Sequence, residues 1–282
     1  MTMVAPSPNR EAHREELATL LELDADELVD AARLIDDLHV DSLAMMVILT
    51  WLEQRGVVIA SDHTQLITVD DVLALLEKVS RPGLSIRITD GVGEALFGLG
   101  ELPAGPVDPL APVLSDRLFR LDAVQPDDIP FLYALAAQPE SSFRWRYRGA
   151  PPAFDRFVSD MWQQVLVQFV ARRRSDNGPA GHLVAYAADA AMHHVYLGAA
   201  FLPEYTNTGS PAQTVALMVR YLFHTFPLRK VYMEVPGFNY AQIQSGEGRL
   251  FQVEGRLRDH AYFAGRYWDQ YLCAIYPPEE SG

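Results

Sequence analysis

Cysteine is almost missing from this chain. Cys273 is the single one in 282 residues, which excludes an internal disulfide framework and any cysteine-rich metal site. Long apolar runs are missing too. No stretch reaches the roughly 18–20 residues that a bilayer-spanning helix needs, and the N-terminus has no signal-type apolar segment. A cytoplasmic protein that does not enter a membrane is therefore expected. Basic residues are scarce at the front. Residues 1–80 carry 5 Lys and Arg against 16 Asp and Glu, a balance of −11. The remainder carries 18 against 21, a balance of −3. A front segment this acidic repels nucleic-acid phosphates and suits partners with basic patches.

Apolar residues are plentiful, at 49% of the chain, and a length of 282 residues suggests about two domains at roughly 150 residues each. Leu17, Leu20 and Leu21 stand at helical spacing within Glu11–Leu23. A second helix is expected from Asp41-Ser42 through Leu43-Ala44-Met45-Met46-Val47-Ile48-Leu49 to Leu52, ending at Gly56. A third opens at Thr68-Val69-Asp70-Asp71, where acidic residues favour the helix N-terminus. Residues 1–80 thus read as an all-α bundle. Residues 81–115 hold six Gly and five Pro around a short apolar Ala95-Leu96-Phe97 and read as a linker.

From 116 to 282 the texture is α/β. Strands are expected at 118–121, 165–172, 181–186, 194–201, 230–235, 261–263 and 269–275, with helices at 126–138, 154–162 and 214–225. A mixed sheet crossed by helices follows.

Two places carry chemistry. Asp41-Ser42-Leu43 lies where a polar loop meets an apolar helix, a position whose free backbone N–H groups favour an attached phosphate. By itself the tripeptide reads as an ordinary helix cap. Its setting midway along an acidic helical unit, after Leu34-Ile35-Asp36-Asp37-Leu38-His39-Val40 and before Ile67-Thr68-Val69-Asp70-Asp71-Val72, resembles an acyl carrier or peptidyl carrier domain over residues 10–80. That resemblance implies 4′-phosphopantetheine on Ser42, flanked by Asp41 and Leu43. It also implies a phosphopantetheinyl transferase as partner, and biosynthetic enzymes that dock on the acidic unit.

The second place is Leu202-Pro203-Glu204-Tyr205-Thr206-Asn207-Thr208-Gly209-Ser210-Pro211, a polar loop between a strand and a helix, followed downstream by Asn239 and Phe251. Such a junction aims backbone N–H groups at an anion. Residues 116–277 resemble the GCN5-related N-acetyltransferase superfamily, in particular its branch acting on ribosomal-protein N-termini. The resemblance implies a splayed pair of strands, an acyl-coenzyme A or acyl-carrier thioester as donor, and a small-molecule amine as acceptor. The pantetheine would lie along Phe201, Leu202 and Asn239, with Thr206, Asn207, Thr208, Gly209 and Ser210 at the pyrophosphate. Two departures stand out. Pro211 lacks an N–H where the family offers a phosphate donor, and the family's general-acid tyrosine aligns with Gly246, within the bare Ser245-Gly246-Glu247-Gly248. Tyr205 and Tyr240 are candidate replacements for that acid, and His193 and His194 candidate bases, with Tyr240, His193 and His194 as the catalytic candidates. No metal site is expected, since the paired histidines have no third ligand.

Phe143-Arg144-Trp145-Arg146-Tyr147-Arg148 alternates arginine with aromatics and reads as a half-buried segment with snorkelling arginines, as a lid over the acceptor pocket, or as a basic face for phosphopantetheine. Three functions fit. The chain is a carrier-linked acyltransferase of polyketide or nonribosomal-peptide type, or it loads its carrier thiol from acyl-coenzyme A, or its second domain is a non-catalytic module that docks the carrier.

Overall fold

The computed structural model describes residues 8–57, 66–78, 112–138 and 146–277. Most of the expected linker, with Ala95-Leu96-Phe97, and the Phe143-Arg144-Trp145 half of the arginine–aromatic segment lie outside the described residues.

The front unit contains α1 (Pro8–Leu21), α2 (Ser42–Gln54) and α3 (Val69–Lys78). Asp41 caps α2 by accepting from the Leu43 and Ala44 backbone N–H groups at 3.0 and 2.9 Å. Asp71 accepts from the N–H groups of Ile67 and Thr68 and from the Thr68 hydroxyl, which fixes the start of α3. Helix α2 is unusual in having no polar stripe. All eight residues from Met45 to Leu52 are buried, and a helix apolar all round needs partners on both sides. Met45, Ile48, Leu49 and Leu52 join Leu17, Leu34, Val72 and Leu73 in the bundle core. Met46 and Val47 point the other way, into the core of the sheet unit.

That second unit is one seven-stranded sheet in the order β1-β2-β3-β4-β5-β7-β6. Its strands are β1 (Phe119–Ala123), β2 (Val165–Arg173), β3 (Pro179–Asp189), β4 (His194–Phe201), β5 (Lys230–Pro236), β6 (Gln252–Phe263) and β7 (Arg266–Ile275). Every pairing is antiparallel except β4 with β5. Helices α4 (Ile129–Ala137) and α5 (Phe154–Asp160) cover one face, where Leu132, Phe157 and Met161 meet Val170. Helix α6 (Ser210–Thr225) covers the other, burying Ala216, Leu217, Val219 and Leu222 against Leu183, Val195 and Val231. Asp116 sews the entry of β1 to α6. Its buried carboxylate accepts from the N–H groups of Leu118 and Phe119 and from the Thr214 hydroxyl, and burial pushes its pKa up.

The mixed sheet agrees with the sequence expectation, with most element bounds shifted by a few residues and two shifts that have a clear physical cause. Helix α6 begins four residues early because Pro211 fits the first helical turn, where its missing N–H is not needed. Strand β6 is twelve residues long rather than three. Its charged, largely exposed positions belong to a sheet edge, and bulges near Val253 and Leu257 break the alternation that would have marked it.

His182 lies fully buried on β3, its Nε2 2.9 Å from Gln168 Oε1. Burial, with the Arg146 charge adding to it, pushes the imidazole down to about 3 from its ordinary 6.5. The unfolded chain therefore binds a proton below pH 6.5 that the folded one refuses until about pH 3. The stability this neutral ring contributes is present in full above pH 6.5 and is lost as pH falls through that window. Denaturant titrations between pH 7 and pH 3 are expected to show this slope, and His182→Asn to flatten it.

Candidate active site

Strands β4 and β5 pair only at His194–Lys230, Val195–Val231 and Tyr196–Tyr232. Beyond Tyr196 they part, while β5 stays bonded to β7 as far as Pro236. The facing edges of Leu197–Phe201 and Met233–Pro236 are left without a strand partner, so their backbone groups open into a slot.

A cavity of about 500 Å³ occupies the α6 side of this slot. It is lined by Ala199, Phe201, Val219, Met233, Val235 and Asn239, and also by Ser42, Leu43 and Met46 of α2. A second cavity of about 360 Å³ shares Ala199, Val215, Met233, Val235 and Asn239 with the first and is otherwise lined by Arg146, Arg148, Tyr186 and Glu234 among others. The two compartments therefore meet at the slot. Asn239 comes from a single helical turn, Gly237–Tyr240, directly after β5. Its Oδ1 is buried with no hydrogen-bond partner among the described residues, an acceptor that waits for an N–H.

Helix α2 is fastened over the first cavity. The Ser42 backbone N–H donates to the Gln242 carbonyl at 3.0 Å. Both oxygens of Asp41 reach the sheet unit, one accepting from the Ser245 hydroxyl at 2.6 Å and the other from the Ser245 N–H at 2.8 Å. Glu53 pairs with Arg117 at 2.6 Å, and Glu22 pairs with Arg249. Two glycines sit where α2 comes closest. A Cβ on Gly209 would stand 2.6 Å from the Met46 backbone nitrogen, and one on Gly246 would stand 2.5 Å from Leu43 Cδ1. Gly209 also adopts φ +74, a left-handed conformation.

The expected site residues separate into those gathered here and those elsewhere. Ser42, Leu43, Phe201, Thr206, Asn207 and Asn239 line the first cavity, and Asp41 fastens the helix that carries Ser42. Leu202, Thr208, Gly209 and Ser210 do not line it. Gly209 and Ser210 are buried. The Ser210 N–H faces Thr208 Oγ1, the N–H groups of Ala212 and Gln213 bond back to the Gly209 carbonyl, and Pro211 has none. The loop expected to hold a pyrophosphate thus spends the N–H groups of Thr206, Thr208, Ser210, Ala212 and Gln213 internally, with the backbone of α2 packed against Gly209.

The three catalytic candidates need correction. His193 lines neither cavity, and its Nδ1 is held 2.9 Å from the Pro227 carbonyl. His194 lines neither cavity and packs edge-on against Tyr232. Tyr240 is buried, stacks on Tyr271 with ring centroids 3.9 Å apart, and donates its hydroxyl to Glu247. Desolvation and the Glu247 carboxylate together raise its pKa. Tyr205 lines the first cavity and packs edge-on against Phe119. Sequence reading missed Met233, Val235 and Glu234, whose signal was only their place at the end of a strand that parts from its neighbour. Among the described residues no group of three or more His, Cys, Asp or Glu side chains is arranged to hold a metal, and no helix is long and apolar enough to cross a membrane.

No protein-family model matches the chain, and no curated protein matches it. Solved structures do. A spermidine N-acetyltransferase from Vibrio cholerae in complex with coenzyme A and spermine is 19% identical over 56% of this chain and 95% of its own, with a TM-score of 0.50. A chimera of the Vibrio cholerae enzyme with hSSAT is 18% identical over 57% and 96%, with a TM-score of 0.49. The sheet with its flanking helices is a GCN5-related N-acetyltransferase fold.

The clearance at Gly209 gives a direct check on the seating of α2. Gly248 has a similar left-handed φ, +79, with nothing within 4 Å of its would-be Cβ. Gly248→Ala is expected to cost only the backbone strain, about 1–2 kcal/mol. Gly209→Ala adds overpacking of about 1–3 kcal/mol more. Equal losses in chemical denaturation would show that α2 does not press on this loop.

Proposed function

We propose that the chain is an N-acyltransferase whose donor is a 4′-phosphopantetheine thioester carried on its own Ser42, and whose acceptor is a small-molecule amine in natural-product assembly. In this reading residues 1–80 are the carrier, 81–115 the linker and 116–282 the transferase. The observation that carries it is that Ser42, at the start of α2, lines the same cavity as the parted β4–β5 edges and Asn239.

The residues present fit such an arm. The cavity is apolar along Val219, Met233 and Val235, and the orphaned Asn239 Oδ1 suits one of the arm's amide N–H groups. The loop at 206–211 turns most of its N–H groups inward and has proline at 211, whereas an arm attached at Ser42 brings a single phosphate that need not bind there. When bound, the arm supplies an acyl thioester, whose carbonyl carbon forms the C–N bond to the amine while the C–S bond breaks and its electron pair leaves on sulfur. Backbone N–H groups on the free edge of β4 are placed to polarise the carbonyl oxygen. Met233 and Val235 keep water from the slot, which protects the ester from hydrolysis.

No tyrosine hydroxyl is free at Gly246 or Tyr240 to protonate the sulfur. A thiol with an ordinary pKa near 8.5 leaves as thiolate, so the loss of an acid slows transfer, by typically 10²–10⁴, without abolishing it. Gly246, in place of a larger side chain, makes room for Leu43. That trade favours a docked carrier over a general acid.

Coenzyme A in the complex of the Vibrio cholerae neighbour favours a second reading, acyl-coenzyme A as donor, with loading of the thiol of the arm on Ser42 as one outcome. The spermidine of these neighbours does not carry over readily, because Arg146 and Arg148 line the second cavity and repel a polycation.

The test is intact-protein mass after coexpression with a phosphopantetheinyl transferase, followed by acyl loading and addition of amines. One phosphopantetheine on the wild type, none on Ser42→Ala, and amine-dependent loss of the acyl mass are expected. Equal turnover by Ser42→Ala with acetyl-coenzyme A would replace the carrier donor by coenzyme A. A loaded carrier that binds but never discharges would make the second unit a docking module.

A further inference from the structure

The second cavity has a charge pattern that a pantetheine donor leaves unused. Arg146 and Arg148 project from the turn that leads into Gly149, and Glu234 stands on β5. Arg148 is positioned by Gln270 of β7, to whose buried Oε1 its Nη1 donates at 3.2 Å. The bond occupies only one of the guanidinium's five N–H donors. Among the described residues neither Arg146, Arg148 nor Glu234 has an ion-pair partner, although most other arginines of the chain do. Tyr186 lies within electrostatic reach of Glu234 and of both guanidinium groups, so the two signs of charge border one compartment. The walls between them are apolar, with Val184, Leu197 and Val235. Two cations and one anion with no ion-pair partner among the described residues, around an apolar pocket, are complementary to a zwitterion.

Resting on the reading that an amine attacks through the slot, we propose that the acceptor is an amino acid, with its carboxylate held by Arg146 and Arg148 and its ammonium group by Glu234. Paired guanidinium groups match a carboxylate through parallel N–H bonds. Glu234 receives one proton from the ammonium as nitrogen becomes nucleophilic, and the second proton lost from nitrogen neutralises the departing thiolate. The products are an N-acyl amino acid and the free carrier thiol. The apolar walls leave the amino-acid side chain to be selected by shape.

Calorimetry on the full chain without an acyl group tests the pocket independently of the donor. Each of the protein amino acids, and β-alanine, is compared with its own carboxamide, which keeps the amine and removes the anion. At least one acid is expected to bind ten or more times tighter than its carboxamide. Arg146→Gln and Arg148→Gln are each expected to erase most of that preference, with Arg148→Lys retaining part of it and all three keeping the wild-type melting temperature. Equal binding of acids and carboxamides, or binding of neither, overturns the proposal.

A turnover arm separates this from failure of the donor reading. Acid preference seen only with acetyl-coenzyme A sinks Ser42 as donor site and leaves the acceptor standing. Discharge of acyl-Ser42 protein to acids and carboxamides at equal rates sinks the acceptor alone.

Discussion

Helix α2 is shared between two hydrophobic cores, and most of the site's geometry depends on that sharing. A helix with a single apolar stripe would serve the bundle and leave its other side wet. Here Met45, Ile48, Leu49 and Leu52 fill the bundle, while Leu43, Met46, Val47 and Thr50 turn toward α6 and the loops around the cavity. The first turn of the helix thereby reaches the slot between β4 and β5 with Asp41 and Ser42 at its tip. The fastening combines apolar contact with polar bonds at the rim. Asp41 meets both polar groups of Ser245, and the Glu53–Arg117 and Glu22–Arg249 pairs flank the contact. Ion pairs that are exposed or only half-buried contribute little on their own, so the apolar face of α2 carries most of the attachment.

The departures from the acetyltransferase pattern take on a common meaning beside this helix. Taken singly, Gly246 in place of a tyrosine and the Gly209-Ser210-Pro211 loop with its missing donor look like lost function. In the structure both glycines are points where α2 comes too close for a side chain. Gly246 leaves the place for Leu43, and Gly209, a position where the resemblance itself has glycine, lets the helix backbone lie on the loop. The slot, the parted strands and the buried Asn239 acceptor stand beside these close contacts.

Much of the fold was legible because the signals were local. Val165–Arg173, Pro179–Asp189 and His194–Phe201 are strands whose apolar content and turn residues mark them, and α3 announces itself through Thr68 and Asp71. The unbroken apolar run from Leu43 to Leu49 was legible as a helix, but that it serves two cores emerged only from the structure. Strand β6 was mostly illegible, since its bulges scramble the alternation and its edge position tolerates Arg256, Arg258 and His260. At the site, Ser42 and Asn239 could be named from motifs. Glu234, Arg146 and Arg148 meet only through the sheet and its flanking turn, a relation between distant segments that no single window contains. His193, His194 and Tyr240 attracted attention by chemistry alone, and the structure engages each in a bond or stack away from the slot.

The half-buried setting of Ser42 also imposes an order of events on the proposed enzyme. Its backbone N–H is bonded to the Gln242 carbonyl, and its neighbours Asp41 and Leu43 are held by Ser245 and packed against Gly246. A modifying enzyme has to enclose this hydroxyl, which requires the whole first turn of α2 to be lifted away. Under the proposed function, maturation and catalysis would use different postures of the same chain: one in which the serine is offered outward, and one in which it is closed over its own reaction chamber.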